Sequence, residues 1–126
     1  MNIPEVTKSL CQSKLGVLFN NFNDIEGALV STLDGQLLAS QQKGNDSLER
    51  VAVMGGSLVS LTDTMIAELN LGHNENVISQ NENGILAFMH INPQLVLVSF
   101  TRNKLALGLL LAHCNRCCEA LKHIHV

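Results

Sequence analysis

Cysteine and histidine residues are concentrated in one short segment of this chain. The stretch Cys114-Asn115-Arg116-Cys117-Cys118 has His113 beside it, and His123 and His125 follow. Thiolates and imidazoles at such short spacing could bind a metal ion or form a redox pair. The sequence has no second Cys-x-x-Cys pair, however, and a helix would place two of these cysteines on its apolar face. Together with Cys11, we expect reduced thiols in the core and a solvated tail at the last two histidines.

Four other polar residues could in principle support catalysis. Asp24 and Glu26 could act as paired carboxylates, and Ser31 or Ser40 as a nucleophile, but no base or oxyanion motif adjoins them. The glycines match neither a phosphate-binding loop nor a dinucleotide-binding turn. We therefore expect turn and strand-edge roles for these residues, with no catalytic site and no bound cofactor or metal.

Composition narrows the class of protein further. The 126 residues suit a single domain, and 46% of them are apolar while only 15% are charged, which favours a face hidden against a partner. The net charge of -3, the scattered Lys and Arg and the absence of Trp and Tyr argue against nucleic acid as a ligand. The longest apolar run, Leu105–Ala112, is far shorter than the ~20 residues of a membrane span. With no signal-peptide pattern at the start, we expect a cytoplasmic protein without a membrane span.

Hydrophobic spacing and turn residues predict all the elements except the central helix. Apolar residues between Val6 and Phe22 recur at helical spacing after Pro4, which predicts an amphipathic first helix. Residues 25–40 form two apolar runs around Asp34-Gly35, which predicts a β-hairpin. Further strands are expected at 76–80, 85–91 and 95–101, and a last helix from Lys104 to about His123 with Asn103 as a cap.

A long central helix is expected from about Ser47 to Leu69, with Asp46 and Glu49 forming a capping box at its start. Its apolar surface is wider than one contact with a sheet requires. Gly55-Gly56 lies in mid-helix, where each glycine costs about 1 kcal/mol relative to alanine, so another backbone should approach closely. That backbone could belong to the domain's own sheet or to a second copy of the helix, and the pattern does not distinguish the two.

Three stretches in this order resemble the Roadblock superfamily, the small α/β domains that include dynein light chains and bacterial regulators of Ras-like GTPases. They are residues 25–35 (Ile-Glu-Gly-Ala-Leu-Val-Ser-Thr-Leu-Asp-Gly) with the following Leu-Leu-Ala-Ser, the helix around Met54-Gly55-Gly56-Ser57-Leu58, and residues 84–88 leading to 95–99. The resemblance spans roughly residues 6–121 of one Roadblock-like domain covering 1–126.

The resemblance implies an α+β fold in the order α-ββ-α-βββ-α. A five-stranded antiparallel sheet would carry the long central helix on one face and the terminal helices on the other. Family members typically form homodimers or heterodimers through the central helix and the edge strand after it. On this sequence the implied interface comprises Val51, Met54, Gly55, Leu58, Val59, Thr62, Asn76, Val77, Ile78, Ser79 and Gln80.

The function implied by the resemblance is a non-catalytic dimeric interaction module that regulates or scaffolds a small Ras-like GTPase. Its partners would be a second copy of itself and the GTPase, and any effect on hydrolysis would come from reshaping the GTPase. The alternative is a small-molecule-sensing α/β domain, since a sheet flanked by helices can hold a ligand near a strand residue such as His90. A metalloprotein or thiol enzyme built on Cys114, Cys117 and Cys118 is a third hypothesis.

Overall fold

The computed structural model describes residues 2–126, which form three helices and five strands in the predicted order. The first helix directly follows Pro4, whose fixed φ suits a helix start. The elements are α1 (Glu5–Asn21), β1 (Ile25–Thr32), β2 (Leu37–Gln42), α2 (Leu48–Glu68), β3 (Val77–Asn81), β4 (Gly84–Asn92), β5 (Leu95–Thr101) and α3 (Leu107–Leu121).

The five strands form one antiparallel sheet in the order β2-β1-β5-β4-β3. Strands β2 and β3 are therefore its two edges. Adjacent side chains of β5 enter different cores: Leu97 packs in the core beneath α1 and α3, and Val98 in the core beneath α2. This confirms the expected α+β fold, with the central helix on one face and the terminal helices on the other.

The hairpin between β1 and β2 is confirmed, with a loop longer than a two-residue turn. Residues 33–36 connect the strands, and Gly35 has a φ of 90°, a left-handed conformation that glycine adopts without strain. The backbone N–H of Thr32 donates to the carbonyl of Gln36 at 3.0 Å, and that of Gly35 donates to the carbonyl of Thr32 at 3.0 Å. The loop is thus held firmly against the strands that it joins.

The central helix begins at Leu48, next to the expected Ser47, but its predicted cap and the predicted start of the last helix were wrong. The capping box does not form, because the carboxylate of Asp46 faces Arg102 at 3.5 Å, and within the described chain Ser47 at the N-cap position makes no side-chain capping bond. The last helix begins at Leu107 and not at Lys104. Asn103 instead accepts a hydrogen bond from the N–H of Leu105 at 3.0 Å, which stabilises a turn before the helix.

Candidate interaction site

Helix α2 carries a row of apolar side chains that its own sheet does not cover. Val51, Met54, Leu58, Leu61 and Met65 follow one another at intervals of three and four residues. Val51 is half-buried, whereas Met54 and Leu61 remain 63% and 59% exposed and the other two are also exposed. This alternation of three and four is the spacing by which two helices pack along a common seam. We call these five residues the α2 row.

The predicted interface residues on α2 divide into two groups. Met54 and Leu58 belong to the exposed row, with Val51 and Thr62 half-buried next to it. Gly55 and Val59, in contrast, are buried on the side of the helix that faces the domain's own sheet. The surface of α2 that a partner could contact therefore leaves out Gly55 and Val59. It includes Leu61 and Met65, which were not among the residues expected from the sequence.

The glycine pair allows α2 to pack closely on its own domain. A Cβ atom on Gly55 would lie 3.3 Å from Cε2 of Phe88 and 3.4 Å from Val98. A Cβ on Gly56 would lie only 2.2 Å from the carbonyl oxygen of Leu33 in the loop between β1 and β2. The backbone whose close approach the sequence indicated thus belongs to the same chain, and the apolar excess of α2 lies on a different side of the helix.

The predicted strand residues lie on or beside the edge strand β3. Asn76 precedes the strand, Val77, Ile78 and Ser79 are half-buried in it, and Gln80 is exposed. Within residues 2–126, β3 pairs with β4 alone, so its outer backbone N–H and C=O groups have no strand partner. Such an edge can accept a further strand.

An apolar groove connects the α2 row with the β3–β4 turn. It has a volume of about 460 Å³ and is lined by Leu48 and Val51 from α2, Leu86 from β4 and Phe100 from β5. Val77 of β3 packs against the same core cluster. The uncovered helix surface and the open strand edge therefore belong to one continuous surface.

A polar clamp fastens the second half of α2 to the sheet. Oδ2 of Asp63 lies 2.7 Å from Nε2 of His90 on β4, and the side-chain amide of Asn74 donates to Oδ1 of Asp63 at 3.0 Å. The other ring nitrogen of His90 lies 3.2 Å from the carbonyl oxygen of Asn92. The clamp borders a cleft of about 420 Å³ that also includes Ile66. Sequence reasoning missed Asp63, because nothing in the pattern pairs it with a histidine 27 residues away.

The four cysteines are reduced and buried, as expected. The Cys114 thiol donates to the hydroxyl of Ser99 at 3.2 Å. Burial raises the pKa of the Cys11 and Cys114 thiols to about 11 and that of Cys117 to about 12, and it also raises the pKa of Cys118. Thiols with such values stay protonated at neutral pH and are poor nucleophiles.

Groups of three or more His, Cys, Asp or Glu side chains arranged to hold a metal ion are absent from residues 2–126. No helix in the same part of the chain is long and apolar enough to cross a membrane. The fold and the uncovered α2 and β3 surface define a small α+β interaction domain.

Comparison with known proteins assigns the family. The sequence model of the Roadblock/LC7 domain family matches residues 12–100. The chain therefore belongs to this family of regulatory and protein-interaction domains. An uncharacterized protein of Methanocaldococcus jannaschii is 28% identical over 103 residues, which are 82% of this chain and 90% of that protein.

Solved structures with the same fold include bacterial members of the family. MglB of Myxococcus xanthus superposes with a TM-score of 0.87 at 16% identity, over 97% of this chain and 92% of that one. The gliding protein MglB of Thermus thermophilus gives 0.82 at 18% identity, over 92% and 88% of the two chains. A Roadblock/LC7 domain of Streptomyces avermitilis gives 0.79 at 13% identity, over 88% and 93%. At these identities the likeness establishes the fold.

Proposed function

We propose that this protein is a homodimeric interaction module that pairs through the α2 row and the edge of β3. The carrying observation is the α2 row itself, exposed apolar side chains at the spacing of a helix-packing seam. A two-fold axis would place this row against the same row of a second copy, since a symmetric interface uses one patch twice. The two β3 edges, running antiparallel, would then extend the sheet across the dimer.

The free energy gained by burying the α2 row is of the same order as the cost of forming a dimer. Completing the burial of one half-exposed Leu or Met contributes about 1 kcal/mol, and each copy offers four such side chains on α2. The two copies together therefore gain on the order of 10 kcal/mol, which is comparable with an association cost of about 4–15 kcal/mol. Strand pairing and the groove beside Val51 would add to this gain.

Replacing Met54 with Glu tests the dimer. Because Met54 is largely exposed, the single domain should tolerate the change, while the interface would have to bury a carboxylate. We expect the wild type to sediment as a dimer and Met54→Glu as a folded monomer with an unchanged circular dichroism spectrum. Leu109→Glu, at a similarly exposed position on α3, is the matched control and should remain dimeric. A monomeric wild type, or a dimeric Met54→Glu variant, would refute the proposed interface.

The dimer would regulate or scaffold a small Ras-like GTPase in the cytoplasm. Membership of the Roadblock/LC7 family and the fold shared with the MglB proteins support this proposal. The chain would act by binding the GTPase and would contribute no catalytic group of its own.

Affinity capture from host lysate, run separately with GDP and with a non-hydrolysable GTP analogue, tests the partner. A small GTPase enriched in one nucleotide state would support the proposal and supply the protein for a hydrolysis assay. Recovery of the chain alone in both samples would remove the GTPase from the proposal and leave the dimer untouched.

A second candidate function, sensing of a small molecule, is favoured by the cleft beside Asp63 and His90. Native mass spectrometry of the purified protein distinguishes the two functions. A stoichiometric bound molecule that His90→Gln releases would favour sensing, and protein of the bare polypeptide mass would favour the docking module.

A further inference from the structure

Helices α1 and α3 lie side by side, antiparallel, on the face of the sheet opposite α2. The ring of His113 stacks on Phe22 at the end of α1, with 5.0 Å between ring centres. One turn later in α3, the Cys117 thiol reaches the carbonyl of Lys14, at 3.9 Å, in the middle of α1. A small groove of about 120 Å³ runs between the two helices and has an apolar floor that includes Leu18 and Cys117.

Apolar side chains remain uncovered beside this groove and one helical turn beyond its lining residues. On α1, Leu10 and Val17 are 41% and 48% exposed, and on α3 Leu109 is 55% exposed. Leu10 and Leu109 extend the lining residues of α1 and α3 by one turn, so that each helix carries a row at the spacing i, i+4, i+7, i+11. Rows of this kind on two adjacent helices are suited to a third helix lying between them. We call these rows the α1/α3 groove; they consist of Leu10, Lys14, Val17 and Asn21 on α1 and Leu109, His113, Arg116 and Ala120 on α3.

The charge of this face differs from that of the whole chain. Residues 5–21 and 107–122 hold four of the eight Lys and Arg but only two of the eleven Asp and Glu, which gives them a net charge of +2. The rest of the chain has a net charge of -5, and the whole chain has -3. Both acidic residues are already paired within their own helices: Glu5 lies 3.8 Å from Lys8, and Glu119 lies 2.8 Å from Lys122.

Lys14 and Arg116 are the cations that remain. Neither forms an ion pair with any part of the chain that the structure describes, and both line the groove from opposite helices. An occupant with carboxylates along its flanks would pair with both at once, while its apolar residues contact Leu10, Val17 and Leu109.

We propose that the α1/α3 groove binds an amphipathic helix of another protein, with an apolar buried face and acidic flanks. The groove has a volume of about 120 Å³, well below the ~300–1,000 Å³ of most small-molecule pockets, so it is better suited to the side chains of a helix. A second copy of this chain using the same face would place Lys14 and Arg116 against the same cations, which is repulsive. Two unpaired cations contribute little to binding an anionic bilayer, on the order of 1 kcal/mol each, so a lipid surface is a weaker occupant. This proposal is independent of the dimer, which uses the opposite face.

A charge-swap selection tests the proposal. A displayed library of helical peptides has fixed Leu at the seam positions and Glu, Gln or Lys at the flanking positions, and it is selected on wild type and on Lys14→Glu/Arg116→Glu. We expect Glu-rich peptides on the wild type and Lys-rich peptides on the variant. The best Glu-rich peptide should bind the variant roughly tenfold more weakly than the wild type. The control Arg50→Glu/Lys104→Glu, which reverses two exposed cations elsewhere, should select the same peptides as the wild type.

Several results would overturn the proposal. They are enrichment of the same peptides on wild type and charge-swap variant, no enrichment at all, or loss of binding in Met54→Glu but not in Leu109→Glu, which would place the peptide on α2. Binding of phosphatidylserine vesicles that depends on Lys14 and Arg116, without peptide enrichment, would assign the face to a membrane. If the charge-swap variant fails to fold, Lys14→Gln/Arg116→Gln replaces it and should show no preference for either charge. The same variants should still sediment as dimers, so this test is separate from that of the α2 interface.

Discussion

Gly56 should be the residue of α2 least able to accept a side chain. An added Cβ would lie 2.2 Å from the carbonyl oxygen of Leu33 and 3.0 Å from its carbonyl carbon. The obstacle is backbone in a loop held by two 3.0 Å hydrogen bonds, so relief requires the loop or the helix to move by about 1 Å. Alanine would gain about 1 kcal/mol in helix propensity, but overpacking costs about 1–3 kcal/mol and more where backbone must shift. We expect Gly56→Ala to lower the free energy of unfolding by about 2 kcal/mol.

Two other glycines provide matched comparisons. At Gly55 the nearest atom to an added Cβ is 3.3 Å away on the Phe88 ring, so Gly55→Ala should change stability by less than about 1 kcal/mol. At Gly108, no atom of residues 2–126 apart from its chain neighbours and the adjacent turns of its own helix lies within 4 Å of the Cβ position. Gly108→Ala should therefore stabilise by about 0.5 kcal/mol.

Urea denaturation followed by circular dichroism measures all three variants. Because dimer formation makes apparent stability depend on concentration, each should be compared with the wild type at two fixed protein concentrations. The expected order of stability is Gly108→Ala, then wild type and Gly55→Ala, then Gly56→Ala. A Gly56→Ala protein as stable as the wild type would show that α2 does not approach the loop closely, and the explanation of the glycine pair would fail.

Two further predictions concern the buried thiols and the Asp63–His90 pair. Burial holds the pKa of Cys11 and Cys114 near 11 and that of Cys117 near 12, above the ordinary 9.0, so the unfolded chain ionises first as pH rises. The free energy of unfolding should be constant up to about pH 9 and then fall by about 1.4 kcal/mol per pH unit for each thiol, until the pH passes the folded-state pKa values. The decrease should be less steep in Cys117→Ala. Urea titrations that give a flat profile up to about pH 11 would contradict this prediction. His90→Gln removes the 2.7 Å contact with the partly exposed Asp63, and urea denaturation should show a loss of about 1 kcal/mol, whereas an unchanged midpoint would mean that the clamp contributes nothing.

Local patterns were sufficient for the order of elements. The signals that predicted them depend on residues close in sequence, where propensity and turn chemistry act directly. They are the helical spacing after Pro4, the Asp34-Gly35 turn and the apolar runs of β3, β4 and β5. Helix caps were less predictable, since Asp46 and Asn103 could each bond to several nearby groups. Which group each one bonds depends on Arg102 and Asp24, and only the folded chain brings these close.

The sequence by itself determined the fold class, the burial of the cysteines and the excess of apolar surface on α2. Periodicity shows which residues share a helix face, but it does not show which face meets the sheet, because several apolar stripes on one helix can satisfy the same pattern. Only the tertiary structure decided that Gly55 and Val59 face inward while Met54 and Leu61 face outward, and that Asp63 meets His90. Those outcomes depend on how complete elements pack against one another, and that packing is set by contacts between residues far apart in the chain.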